Sequence, residues 1–273
     1  MIFSISRGRI REYAVYAIGI FVLFSGAAGI VYVARPDVMQ MAQENSLFFL
    51  MPTDERAFTY GEHHFNARDA SDYDVNRAQY FFNQARLLNP KHPFVYHELA
   101  RIAFLKGDQD MALSLINTEF LVNAYPSPSS YYVRALIKAY RQDYKGAAAD
   151  YELYFKATPA TWGSINDYAW VLMKMGFYDA ALDSLNWGLT HWPENAWLLS
   201  NKATALYELR RYNEAKKAVT QARVASDHVV IEDWLTAYPG NDPLSAPGGL
   251  ASFKKSVADN GAKIDALQKE TGQ

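Results

Sequence analysis

The sequence predicts an all-α chain, a solenoid of stacked helical hairpins behind a single amino-terminal membrane helix. Ala78, Ala112, Ala147, Ala181 and Ala215 recur at gaps of 34, 35, 34 and 34 residues. Self-similarity at that period marks an array of small supersecondary units. Other residues travel with this ladder. Tyr144, Tyr178 and Tyr212 each stand three residues before their alanine, and Phe82, Ile116, Tyr151, Leu185 and Val219 stand four after it. Pro90, Pro126, Pro159 and Pro193 close four of the units. The membrane helix rests on a separate observation, the uncharged run from Tyr13 to Ala34.

Residues 1–12 hold Arg7, Arg9 and Arg11, whereas Arg35 alone follows the apolar run closely, with Asp37 and Glu44 beyond it. The positive-inside rule then puts the amino terminus in the cytoplasm and the array outside. As a helix the 22 residues of 13–34 reach about 33 Å, enough for the hydrocarbon core. Tyr13, Tyr16 and Tyr32 sit near the ends, where aromatic rings favour the interface. A cleaved signal peptide is the alternative, with Ser25, Gly26 and Ala27 as the small-residue site. Ser25 and Gly29 also form a small-xxx-small pair suited to packing on another membrane helix. The connector, 35–56, contains Leu47-Phe48-Phe49-Leu50-Met51, too apolar for a free linker. It is expected to cap the first unit, lie at the membrane interface, or dock a partner.

Trp162 to Pro193 shows one unit clearly. Ile165, Tyr168, Ala169 and Leu172 fall at i, i+3, i+4 and i+7, the apolar stripe of one helix. Gly176 breaks the pattern, as glycine does just past a helix end. Tyr178, Ala181, Leu182, Leu185 and Leu189 make a second stripe, which Pro193 stops. Ala169 and Ala181 belong where helix axes approach, because a larger side chain would push them apart. One hairpin cannot bury both of its apolar faces, so neighbours must stack on it.

The segments Leu172-Met-Lys-Met-Gly-Phe-Tyr-Asp-Ala-Ala-Leu182 and Leu206-Tyr-Glu-Leu-Arg-Arg-Tyr-Asn-Glu-Ala-Lys216 resemble the turn and second-helix start of the tetratricopeptide repeat (TPR) family. Leu99-Ala100 and Gly107 match its first helix and turn. The resemblance covers 57–226 as five repeats and implies a right-handed α-α superhelix. Departures fall mainly at the terminal repeats and the junctions. The first has about two extra turn residues near Ala70–Asp74, and His63-His64 where a large–small apolar pair is usual. The second runs long before Pro126. The third is short between Tyr140 and Tyr144; its first helix aligns on Val133, Leu136, Ile137 and Tyr140, and another register is compatible. The fifth has Lys202 at an apolar position. Terminal repeats have only one neighbour and are expected to be atypical.

After the array, Val229, Val230, Trp234, Leu235 and Tyr238 predict a capping helix over 227–238. Three prolines and three glycines make 239–249 a linker. Residues 250–273 read as a weakly helical tail with Leu250, Phe253 and Val257 on one face, disordered or ordered by a partner.

The chain has 273 residues, half of them hydrophobic, and a net charge of −2. That balance gives no reason to expect nucleic acid. The absence of cysteine excludes disulfides, thiolate metal sites, cysteine nucleophiles and an amino-terminal lipidated cysteine. No phosphate loop, nucleophile elbow or zinc-protease motif occurs, so no catalytic residue, cofactor or metal is expected. His63 and His64 point about 100° apart on a helix, and His92 and His97 approach them only from the next repeat. All four read as packing or solvated residues. Asp150 and Glu152 read as solvating an exposed face.

The TPR resemblance implies a concave groove lined by the first helices, used in that family for an extended peptide or a helix. Its candidates here are Phe94, His97, Arg101, Phe104, Arg134, Lys138, Asn166, Trp170, Trp197 and Tyr207. Arg101, Arg134 and Lys138 form a basic patch suited to an acidic peptide, with the aromatics as anchoring area. The expected function is a non-enzymatic scaffold or adaptor that gathers proteins at a bacterial inner membrane, its array periplasmic, in envelope complex assembly or protein biogenesis. Two alternatives stay open: a constitutive subunit of a large membrane complex, and a cytosol-facing receptor for chaperones or precursors.

Overall fold

The computed structural model describes residues 36–66, 70–237 and 242–271. The expected membrane helix over 13–34 lies outside them. Every regular element among the described residues is an α-helix, and none of these is long and apolar enough to cross a membrane.

Helix α1 (Pro36–Leu50) packs on the first hairpin, formed by α2 (Asp54–Phe65) and α3 (Val75–Leu88). Phe48 meets the Phe81 ring edge-on with centroids 5.8 Å apart. Glu44 is buried and accepts the Arg77 guanidinium at 2.8 Å. His64 faces the Asp72 carbonyl through Nδ1 at 3.1 Å, and its Nε2 lies 2.7 Å from Arg77 Nε. The same Nε2 lies 2.9 Å from Glu44 Oε2, so Glu44, His64 and Arg77 form one buried polar cluster. The apolar connector therefore divides: Phe48 turns inward, while Leu47, Phe49, Leu50 and Met51 stay exposed.

Four further hairpins follow: α4 (Val95–Leu105) with α5 (Gln109–Val122), α6 (Pro128–Tyr140) with α7 (Tyr144–Ala157), α8 (Trp162–Lys174) with α9 (Tyr178–His191), and α10 (Ala196–Glu208) with α11 (Tyr212–His228). The helices thus begin ahead of the expected bound at 57 and run past 226. Each of these four hairpins turns through one left-handed residue: Gly107 (φ 81°), Gln142 (φ 66°), Gly176 (φ 80°) and Arg210 (φ 59°). At each turn two backbone bonds close a Schellman motif, as in Asp108 N–H to Ala103 O and Gly107 N–H to Phe104 O. Asp74, Asp108 and Asp143 cap α3, α5 and α7 through their side chains, each satisfying backbone N–H groups that a helix start leaves unpaired.

The alanine ladder is the seam between the paired helices. All five alanines are buried, and so are all five residues four positions later. A side chain larger than hydrogen is excluded at Gly61, where a Cβ would stand 2.6 Å from the Phe82 ring. Gly188 lets α9 approach Ile165 and Leu198, 3.1 Å from where its Cβ would be.

The carboxyl-terminal end differs from expectation. The expected capping helix is the short α12 (Ile231–Ala237), and Tyr238 lies outside the described residues. The face of the last hairpin is covered instead by α13 (Ala246–Thr271), which starts inside the expected linker. Ile264 joins the core of α10 and α11, and Val257 packs with Leu199 and Ala222. Phe253 stacks on Trp197 with centroids 4.5 Å apart. Asp265 faces Arg223 at 3.4 Å and Lys216 at 3.6 Å. The segment read as a loose tail is an ordered cap, because its apolar stripe continues past Phe253 and Val257 to Ile264.

Candidate binding groove

Adjacent first helices α4, α6, α8 and α10 put residues 34 or 35 apart side by side. Tyr132 on α6 donates its hydroxyl hydrogen to Asp167 Oδ2 on α8 at 2.7 Å. Asn201 on α10 donates to Asn166 Oδ1 at 2.8 Å. Trp162 and Trp197 stack with centroids 4.9 Å apart. These contacts hold the first helices in register and line one side of the solenoid with rings.

Two recesses open there, joined through Tyr132, Trp162 and Gly163. The larger, about 650 Å³, is bounded by Phe94, His97, Glu98 and Arg101 of α4 and its approach, with Tyr154 and Trp192. The smaller, about 330 Å³, is bounded by Phe104, Tyr140, Asn166, Asp167, Trp197 and Trp234.

In the larger recess the buried charges are paired, while Glu62 at its edge is exposed. Arg101 donates to Glu98 Oε2 at 2.6 Å, and both are buried. Its guanidinium also lies over Phe65, 4.5 Å from the ring centroid. Burial raises the Glu98 carboxyl, and the Arg101 charge opposes that rise. His97 is buried against Ser130 Oγ at 3.0 Å. Desolvation, assisted by the Arg101 charge, lowers its pKa to about 3, so it is neutral. In the smaller recess, burial lifts the Asp167 carboxyl to about 6, against the hydrogen bonds from Tyr132 and Asn166 that hold it down.

No family model and no curated protein matches the chain. Solved structures do. A MamA structure (MSR-1) aligns with TM-score 0.54 at 17% identity, over 64% of this chain and 97% of that one. A Podosopora anserina structure of nearly identical TPR-like repeats aligns with TM-score 0.53 at 18% identity, again over 64% and 97%. The fold is a TPR-like solenoid.

Within this solenoid the ten candidate residues separate. Phe94, His97 and Arg101 line the larger recess; Phe104, Asn166 and Trp197 line the smaller. Arg134, Lys138, Trp170 and Tyr207 line neither. The expected basic patch is absent because its cations are neutralised inside the solenoid. Arg134 forms a two-pronged pair with Asp150, at 2.8 and 2.6 Å, and lies over Phe120. Lys138 reaches the same carboxylate at 2.7 Å. Asp150, expected to be solvated, is buried between them, while Glu152 is exposed. The cause is helical phase. Tyr132, Leu136 and Tyr140 face the recesses, so residues two further along, turned by about 200°, face α7. Tyr140, assigned to the apolar stripe of α6, is 56% exposed. Trp170 packs beside Tyr140 and Tyr144. Tyr207 lies under Lys263 of the carboxyl-terminal cap, 4.7 Å from the ammonium.

His92 does not approach His63 or His64. Its ring lies tilted against Phe58 with centroids 4.5 Å apart, directs Nδ1 to the Pro93 carbonyl at 2.7 Å, and faces Glu55 at 3.5 Å. Asn89 donates to Asp54 beside it at 2.7 Å. This cluster ties the start of α2 to the turn before α4.

The residues missed from sequence include Tyr132, Asp167, Trp162, Tyr154, Trp192 and Trp234, and also Glu98 and Tyr140. The repeat spacing signals one of them: Trp162 stands 35 residues before the candidate Trp197.

Proposed function

We propose that this chain is a protein-binding scaffold whose groove holds an extended segment of a partner. The observation that carries it is the ring-lined groove across α4, α6, α8 and α10, where Tyr140 and Phe94 are still open to solvent. Exposed aromatic rings in a concave, desolvated setting are the common anchors of protein interfaces. The unpaired charge offered by the smaller recess is a carboxylate, which disfavours phosphate and hence nucleic acid.

On this reading residues 13–34 anchor the chain in a bacterial inner membrane with the solenoid on the periplasmic side, where it assists envelope complex assembly or protein biogenesis. The exposed Leu47, Phe49, Leu50 and Met51 at the end of α1 support a place against the bilayer interface. Binding, rather than turnover, is the proposed work.

The test is photocrosslinking in native membranes from a reactive side chain at Tyr140, in the groove, or at Lys217, on the outer face. Crosslinks to a defined protein from position 140 alone are expected. Equal patterns from both positions overturn the groove reading. A reporter active only in the cytoplasm, fused to the carboxyl terminus, is expected to be inactive; strong activity overturns the topology.

A further inference from the structure

The smaller recess carries a charge that the protein itself does not answer. Asp167 receives hydrogen bonds from neutral donors, Tyr132 Oη at 2.7 Å and Asn166 Nδ2 at 3.3 Å. Among the described residues no lysine, arginine or histidine pairs with it. Two nearby buried carboxylates have cations, Glu98 with Arg101 and Asp150 with both Arg134 and Lys138; Glu119, which takes Asn123 at 2.8 Å, is buried away from the recess among the backbone at the start of α4. A partly buried carboxylate without a cation has lost hydration without gaining a Coulomb partner.

The walls point the same way. Asp167 shares its recess with the rings of Phe104, Tyr132, Tyr140, Trp162, Trp197 and Trp234. A ring face open to the recess carries negative potential and attracts ammonium and guanidinium groups; Trp197, stacked on both Trp162 and Phe253, contributes apolar wall instead. The volume, about 330 Å³, is at the small end of ligand pockets and suits one long side chain. The larger recess continues from it past Tyr132 and Trp162, giving the flanking residues of a bound strand somewhere to lie.

We propose that the recess at Asp167 receives the basic side chain, arginine or lysine, of an extended segment of a partner protein. The inference rests on the groove being a protein-binding surface. It reverses the polarity that the sequence suggested: the cations read as awaiting an acidic peptide are spent on Glu98 and Asp150, and the free charge is negative. In the complex the guanidinium or ammonium pairs with the Asp167 carboxylate while its aliphatic stem lies against the tryptophans.

The test uses the full chain in nanodiscs and three fluorescent heptapeptide pools, randomised except for arginine, lysine or citrulline at the centre. Citrulline keeps the planar shape of arginine without its charge. The arginine and lysine pools are expected to bind at least about tenfold more tightly than the citrulline pool, as a charge-assisted pair requires. Asp167→Asn, which keeps an oxygen to accept from Tyr132, is expected to erase that preference. Equal binding of all pools overturns the inference and leaves the groove as a peptide site of another preference. A basic preference that survives Asp167→Asn overturns the assignment to this recess. Competition by N-acetylarginine amide as strong as by the pools assigns the site to a small cation instead of a polypeptide. If no pool binds, the inference fails, while crosslinks from position 140 still decide the scaffold reading. The comparison of pools on the unmodified chain stands even if the variant folds poorly.

Discussion

Tyr132 and Asp167 are joined by a 2.7 Å hydrogen bond that spans two successive hairpins. The bond lowers the Asp167 pKa, but burial outweighs it and raises the carboxyl from 3.8 to about 6. The folded chain therefore binds a proton more readily than the unfolded chain between these values. Stability falls as pH rises through that window, and the cost is complete above it.

The first prediction follows. Asp167→Asn is expected to be more stable than the parent by about 1–3 kcal/mol at pH 7. The gap is expected to close by about pH 4, where the parent carboxyl is protonated. His97, with its folded pKa lowered to about 3, gives the opposite slope, since stability is lost as pH falls below the unfolded value. It is present in both proteins and cancels. Tyr140, whose phenol is raised by burial and then by the Asp167 charge, titrates above this range. Urea midpoints of both proteins from pH 4 to 7 measure the gap; a gap independent of pH contradicts the desolvation account.

Charge reversal at the buried pairs is expected to unfold the solenoid before it reports on binding. Arg101→Glu sets a second carboxylate against Glu98, and Arg134→Glu does so against Asp150. Each is expected to cost at least about 3 kcal/mol, the scale for stranding a buried charge. Arg211→Ala, which breaks the exposed pair with Glu214, is expected to leave the urea midpoint unchanged. A reversal at 101 that leaves the midpoint unmoved would show that the Glu98 pair is not buried in solution.

What was legible in the sequence was whatever repeats. The alanine ladder and the residues four after it locate the buried seam because each hairpin solves the same packing problem. The groove was half legible. On α4 the stripe through Phe94, His97 and Arg101 gave the right face. On α6 the first helix follows a Ser-Pro start, and placing the functional face on Arg134 instead of Tyr132 rotated it onto α7. Pairing is also invisible to periodicity. Arg134, Lys138 and Asp150 look like solvated charges until α6 and α7 are folded together. The carboxyl-terminal cap was missed for the opposite reason. Its stripe of Phe253, Val257 and Ile264 has no repeat to compare with, and the glycines at 248 and 249 lie inside the first turn of α13 rather than ending it.

The cap carries the third prediction. Ile264 is 3% exposed and packs with the core of the last hairpin. Ile264→Ala is expected to cost about 2–4 kcal/mol through the cavity it leaves. Ending the chain before α13 uncovers Leu199, Ala222 and Trp197, so α10 and α11 are expected to lose hydrogen-exchange protection first. In a stacked array each hairpin depends mainly on its neighbours. Protection in α4 and α5 is therefore expected to change much less; uniform loss across the array would mean that the cap holds more than the end it covers.

The fourth prediction uses the turn position shared by the hairpins. Gly107 and Gly176 hold φ near 80°, while Gln142 and Arg210 hold φ 66° and 59° at the equivalent points. A residue with a Cβ strains there by about 1–2 kcal/mol, whereas glycine fits freely but loses more entropy on folding. Gln142→Gly and Arg210→Gly are expected to be stabilising by up to about 1 kcal/mol, the strain relieved less the entropy glycine adds. The reverse change isolates the backbone effect, because a Cβ at Gly107 or Gly176 would meet no atom within 4 Å. Gly107→Ala and Gly176→Ala are therefore expected to destabilise by about 1 kcal/mol each without any clash. Additive losses in the double variant would place the whole cost in the two φ angles, since the turns lie in different hairpins and share no contact. A loss well beyond the sum would instead show that turn geometry sets how neighbouring hairpins stack.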